Sequence, residues 1–204
     1  YTTPCVFRSV GGAAQLIFTH SYQGITSVNP ASGEKNWEIA PFGTFKQRAI
    51  GSPIVAGDLV IGSSGFTTAE RNVVAVRPIS DGSVMSASEV YRVTKHAPHI
   101  PTPLAYRGLM FLWDDRGIVA CAELETGKEV WVKRVGGTFY GSPICVDGKL
   151  YCVDRNGNVV VLAASREYRL LGRNPLGKPT CATPAVANGV LYLRSDSHLF
   201  SIGG

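Results

Sequence analysis

Five Ser/Thr-Pro dipeptides punctuate the chain at nearly even intervals: Thr3-Pro4, Ser52-Pro53, Thr102-Pro103, Ser142-Pro143 and Thr183-Pro184, with proline spacings of 49, 50, 40 and 41 residues. A matching phrase follows each of the last three: PLAYRGLMFLWDDRGIVACAE, PICVDGKLYCVDRNGNVVVLA and PAVANGVLYLRSDSHLFSIGG, with Gly108, Gly148 and Gly189 each five residues after the proline. Self-similarity of this kind constrains the fold more than local propensity does. One short unit is built repeatedly, and it cannot bury its apolar face without its neighbours.

Each phrase reads as three short strands joined by two tight turns. Asp147-Gly148 and Asn188-Gly189 adopt positive φ at low cost in two-residue hairpins, and Asn156-Gly157 repeats the signal one turn later. Beyond the third strand, Glu125-Thr126-Gly127 turns the chain into a fourth that carries Trp131, and Ala31-Ser32-Gly33 leads in the same way to Trp37. The runs VVAV, VVVLA and VLYL are apolar almost throughout, which suits strands covered on both faces. The unit is therefore a four-stranded antiparallel sheet of about forty residues, the size of one propeller blade. A β-sandwich accounts for the strands but not for the recurring phrase.

The expected fold class is all-β: a β-propeller of four-stranded antiparallel blades, with about four complete blades plus a three-stranded fifth, or a section of a larger propeller of about seven or eight blades. A single domain, 1–204, divides into repeats at about 2–49, 50–100, 101–140, 141–181 and 182–204. The second repeat carries SSGFTTAERNVVAV and has Tyr91 in place of the tryptophan, and the fourth carries LAASREYRLLGR with no Gly-x-x-x-Trp. Their outer edges are expected to differ. The fifth stops at Gly204 after three strands, and its unpaired edge points to self-association or pairing with missing upstream repeats. The chain begins at Tyr1 with neither Met nor a charged-then-apolar leader, the pattern of a processed or truncated piece.

Composition narrows the function classes. The net charge of +5 is scattered, and no run of like charges marks a nucleic-acid arm. No apolar stretch approaches the ~20 residues needed to cross a bilayer, so no membrane span is expected. Cys5, Cys121, Cys145, Cys152 and Cys181 form no C-x-x-C and no adjacent pair, which argues against a zinc site and for use as small buried hydrophobes.

Ala122, Glu123, Thr126, Gly127 and Trp131, with Asn29, Ser32, Gly33 and Trp37 as a second copy, resemble the Ala-x-Asp-x-x-Thr-Gly-x-x-x-Trp repeat of the pyrroloquinoline-quinone (PQQ)-like β-propeller superfamily, although the motif's Asp is absent from the first copy. The resemblance covers essentially the whole chain. It implies the propeller fold and a periplasmic or extracellular location. Activity is not implied, because the superfamily holds quinone-dependent dehydrogenases as well as a non-catalytic branch that includes the barrel-assembly lipoprotein of the bacterial outer membrane. Trp37 and Trp131 are expected to pack between blades.

The dehydrogenase branch holds its quinone with an adjacent-cysteine disulfide, a stacking tryptophan and calcium ligands. This sequence has no such cysteine pair, and no cofactor is assigned. Asp114-Asp115 and Asp154-Arg155-Asn156 sit in turns where such residues are common, so no metal is assigned either. His96 and His99, in KHAPHIP, have a spacing that offers two metal ligands, but Pro98 and Pro101 argue for an extended turn, and no third ligand is specified.

In propellers the loops leaving each fourth strand and those joining second to third strands share one face. That face should gather Tyr22, Gln23, Gln47, Arg48, His96, His99, Asp115, Arg116, Tyr140, Arg155, Asn156, Lys178 and Asp196. Arg48, His96, His99, Asp115, Arg116, Tyr140, Arg155 and Asn156 are the candidate partner-binding residues, and no catalytic residue is assigned. The expected function is a non-catalytic binding or scaffolding propeller that recognises a protein, peptide or glycan. The alternative is a sensor or regulatory domain of a larger protein, and a PQQ-dependent dehydrogenase is the weaker one.

Overall fold

A computed structural model describes residues 2–8, 12–22, 24–42, 48–81 and 84–203, apart from the side chains of Ala69, Asp81 and Val84. Gln23 and Gln47 lie outside the described residues. No helix occurs among them, and none is therefore long and apolar enough to cross a membrane.

The regular structure of the described residues falls into five sheets. The first contains β1 (Cys5–Arg8), β2 (Ala14–His20), β3 (Gly24–Val28) and β4 (Lys35–Ile39); the second contains β5 (Ile54–Ala56), β6 (Leu59–Phe66), β7 (Ala69–Asp81) and β8 (Val84–Val93). The third is β9 (Leu104–Tyr106), β10 (Leu109–Trp113), β11 (Ile118–Glu123) and β12 (Glu129–Arg134). The fourth is β13 (Ile144–Val146), β14 (Lys149–Val153), β15 (Asn158–Ala163) and β16 (Leu170–Pro175), and the last is β17 (Ala185–Ala187), β18 (Val190–Arg194) and β19 (Leu199–Ile202). Spatial order follows chain order in every sheet and all pairings are antiparallel. Four complete blades and a three-stranded fifth, the expected propeller architecture, are thus present.

Each Ser/Thr-Pro stands immediately before the first strand of a sheet. Proline fixes φ and holds its predecessor extended, which suits a strand entrance where no ladder donor is needed. The hydroxyl beside it has a second use. The Thr3 N–H donates to Ser52 Oγ at 3.0 Å, the Ser52 N–H to Thr102 Oγ1 at 3.0 Å, and the Ser142 N–H to Thr183 Oγ1 at 2.9 Å. Equivalent residues of successive blades are linked in this way, hydroxyl to amide.

The tight turns after the first strands have positive φ at both central residues: Asp147 and Gly148 at 47° and 71°, Asn188 and Gly189 at 50° and 76°. The third blade does the same with Arg107 and Gly108, at 46° and 76°, so its turn carries no Asn or Asp signal. Of the departing repeats, the second differs at its outer edge: β7 and β8 extend into a long hairpin that pairs as far as Asp81 with Val84. The register shift between third and fourth strands, at Val161/Leu162 in the fourth blade, recurs at Ser27/Val28, Ala75/Val76 and Cys121/Ala122 in the other three.

The chain divides into two compact units, Tyr1–Thr102 and Pro103–Gly204. In the first, Phe7, Ile17, Ile25 and Trp37 of one blade pack with Val60, Val74 and Val76 of the next. Trp37 is 4 % exposed, and its indole N–H donates to Gln15 Oε1 at 2.9 Å, where the Ser27 hydroxyl also donates at 2.6 Å. In the second unit Leu109, Phe111, Trp113 and Cys121 pack with Leu150, Cys152, Val160 and Leu162. Trp131 lies against Phe111 and Tyr168 at ring distances of 6.1 and 5.4 Å, and it donates to the Ser165 carbonyl at 3.1 Å. The outer-strand indole therefore reaches across to the following blade.

Candidate functional site

Because each sheet is an antiparallel meander, its second-to-third turn and the loop leaving its fourth strand lie at one end. In the second unit these segments are laced together. The turn after β10 is closed by Asp114, fully buried, whose N–H donates to Ile118 O at 2.7 Å and whose Oδ1 accepts the Arg116 N–H at 3.0 Å. Asp154 does the same after β14, its Oδ1 accepting the N–H groups of Asn156 and Asn158, both at 2.9 Å. Gly117 and Gly157 end these turns at φ of 77° and 85°. A Cβ on Gly157 would stand 2.1 Å from Lys178 O, so the loop leaving the fourth strand runs directly over the turn.

The lacing continues through backbone hydrogen bonds. Phe139 N–H donates to Asp115 O at 3.0 Å, Arg155 N–H to Thr138 O at 2.7 Å, Thr180 N–H to Arg155 O at 3.2 Å, and Asp196 N–H to Pro179 O at 2.9 Å. Each loop is thereby tied both to the turn of its own blade and to that of the next.

On this framework Tyr140, 40 % exposed, carries the Arg155 guanidinium over its ring at 4.7 Å. Asn156, Lys178 and Asp196 are exposed as well. Arg116 is engaged differently. Its guanidinium donates to both carboxylate oxygens of Asp114, at 2.6 Å for the shortest contact, and that hydrogen bond raises its pKa further. Asp115, half-buried, contributes its carbonyl to Phe139.

In the first unit Arg48 and Gly65 exchange backbone hydrogen bonds at 2.8 and 3.0 Å, and the Arg48 guanidinium lies 5.0 Å over the Phe66 ring. His99, 8 % exposed, packs edge-on against that ring at 6.0 Å. His96 sits at φ 58° in the turn after β8, and Tyr22 is 78 % exposed beside His20. The structure thus brings together Tyr140 with Arg155, and Arg48 with His99 through Phe66. Phe66, at the end of β6, was not legible as a site residue, nor was Arg173, which donates to the Val135 carbonyl. The Asp-x-x-Gly spacing of Asp114 to Gly117 and Asp154 to Gly157 was the available signal for the two buried caps.

Residues 69–171 match the family described as outer membrane protein assembly factor BamB, about half of the chain. The chain belongs to this family. BamB membership places it in the BamB-like branch of the PQQ-like propellers, in agreement with the Thr-Gly-x-x-x-Trp repeat. No curated protein matches the sequence significantly. Among solved structures, BamB from Moraxella catarrhalis superposes with a TM-score of 0.69 at 16 % identity, over 99 % of this chain and 59 % of that one. A europium-containing methanol dehydrogenase superposes with a TM-score of 0.66 at 14 % identity, over 94 % of this chain and 51 % of that one. The chain thus spans just over half the length of either structure, and at such identity the likeness is one of fold.

A quinone and its metal do not fit the residues of this BamB-family chain. All five cysteines are single thiols. Trp37 and Trp113 are buried in packing, at 4 % and 0 % exposure, and Trp131 is wedged between Phe111 and Tyr168. Among the described residues no group of three or more His, Cys, Asp or Glu is placed to hold a metal ion. Burial pushes the Cys121 thiol up to about 12 and raises Cys152 well above its ordinary value, so neither is a nucleophile at neutral pH.

Proposed function

We propose that the chain is a non-catalytic binding and scaffolding propeller that holds a protein partner on its loop ends, outside the cytoplasm. The observation that carries this is the Tyr140 and Arg155 pair: an aromatic ring left 40 % exposed and a stacked arginine, both on loops whose backbones are tied at several points. Packing does not require either side chain to be there. Rigid Tyr and Arg anchors on a fixed frame have low entropy to lose on binding, which is why such residues dominate interface energetics. BamB-family membership supports a protein partner and an extracytoplasmic setting.

The test places a photo-crosslinking amino acid at position 140 or, as a control, at position 128 in the outer-rim turn. Irradiation in a native extract should yield a discrete adduct from position 140 alone. With the captured partner in hand, Tyr140→Ala and Arg155→Ala should each weaken binding by roughly 1–3 kcal/mol. Lys128→Ala should change it by less than about 0.5 kcal/mol. An adduct that forms from position 128 and not from 140 would move the binding surface to the blade edges.

A further inference from the structure

The two stacked arginines share a construction. Arg48 comes from the loop leaving β4 and its ring, Phe66, from the end of β6; Tyr140 comes from the loop leaving β12 and its arginine, Arg155, from the turn after β14. Cation and aromatic have exchanged loops, while the pairing between successive blades is kept. In both cases the arginine backbone is fixed at N–H and at C=O, Arg48 by Gly65 and Arg155 by Thr138 and Thr180. Other arginines at these ends of the second unit spend their guanidinium donors inside the protein: Arg116 on Asp114, Arg134 on the Arg116 carbonyl and Arg173 on the Val135 carbonyl. Among the described residues neither Arg48 nor Arg155 has an acidic partner.

We propose that Arg155, backed by Tyr140, receives the carboxylates of an acidic segment in the partner protein, and that Arg48 on Phe66 is a second copy of the same receptor. This deepens the binding reading above and rests on it. A guanidinium whose carbon lies over a ring, 4.7 Å from the centroid for Arg155 on Tyr140, is steadied by the cation–π contact and keeps N–H groups for the two parallel hydrogen bonds that a carboxylate matches. Lys178 is exposed on the loop whose backbone crosses Gly157, two residues beyond Arg155. The acid next to Arg155 in the chain, Asp154, is buried, with both oxygens occupied by Asn158 and the turn. A single fork at a blade junction, without a run of basic residues, suits a lone carboxylate better than a continuous phosphate backbone.

The experiment is an anisotropy titration of the full chain with a short fluorescein-labelled peptide of alternating Glu and Gly, amidated at its C-terminus, and with the same peptide carrying Gln for Glu. The Glu peptide should bind at least about tenfold more tightly. Arg155→Gln should weaken it by roughly five- to tenfold, and Arg155→Lys, which keeps the charge but not the fork, should lose most of the same. Lys128→Gln, on the outer rim, should leave the affinity within about twofold. Full retention in Arg155→Lys, or an equal loss in Lys128→Gln, would reduce the effect to diffuse charge and overturn the assignment, as would tighter binding of an oligothymidylate of equal charge. An adduct from position 140 without any preference for the Glu peptide would sink this inference and leave the binding reading standing. Absence of both would sink the two together.

Discussion

Two glycines separate the demands of backbone conformation from those of space. Gly157 and Gly189 have φ of 85° and 76°, but a Cβ would meet Lys178 O at 2.1 Å in the first and nothing within 4 Å in the second. Gly189→Ala should therefore cost only the left-handed penalty, about 1–2 kcal/mol. Gly157→Ala must also push the loop of residues 176–180 off the turn, breaking the bond from Leu176 N–H to Gly157 O, and should cost more than about 3 kcal/mol in urea denaturation. It should also perturb Arg155, whose carbonyl is held by that same loop through Thr180. Similar losses in the two variants would mean that the loop yields easily, and that the frame beneath Arg155 is softer than its hydrogen bonds imply.

Among the elements, the first strands were the most legible because their signal is local. A Pro that fixes φ and an Asp-Gly or Asn-Gly that turns the chain state their conformations within a few residues, and both recur in register. The hydroxyl-to-amide link was not legible, since Ser52 and Thr102 are fifty residues apart and only blade stacking brings them to 3.0 Å. The same holds for Tyr140 and Arg155: their loop positions could be placed from the repeat, but the stacking of one on the other depends on how adjacent blades meet. Phe66 was hidden by the irregular SSGFTT stretch, where the repeat itself lapses. The link predicts a chemical asymmetry at the strand entrance. Thr102→Val keeps the shape but deprives the Ser52 N–H of its acceptor, and should destabilise by about 1–3 kcal/mol in chemical denaturation. Thr102→Ser keeps the hydroxyl and should recover most of the loss. If Val and Ser behave alike, the hydroxyl is a bystander and the Ser/Thr preference lies in the backbone alone.

At the scale of the whole molecule, the buried thiols tie stability to pH. Cys121, fully buried between β10 and β12, has its pKa pushed by desolvation from an ordinary 9.0 to about 12, and burial raises Cys152 in the same direction. Below pH 9 the Cys121 thiol is protonated in folded and unfolded chains alike, so it makes no pH-dependent contribution. Between pH 9 and 12 the unfolded chain gives up a proton that the folded chain retains, and stability falls as pH rises by up to about 1.4 kcal/mol per pH unit for each such thiol. Urea midpoints of the wild type should therefore drop steeply through this window. Cys121→Ala will start lower at neutral pH because it empties core volume, but its decline above pH 9 should be shallower, and the difference in slope isolates this one group from the titration of Lys and Tyr. A thiol-reactive chromophore gives the independent check. Exposed Cys181 should react at once at neutral pH, whereas Cys121 and Cys152 should react only as fast as the core opens. Parallel slopes for wild type and Cys121→Ala, together with a single fast phase for all five thiols, would show that the packing between β10 and β15 is open to solvent and that the blades do not seal the sulfurs between them.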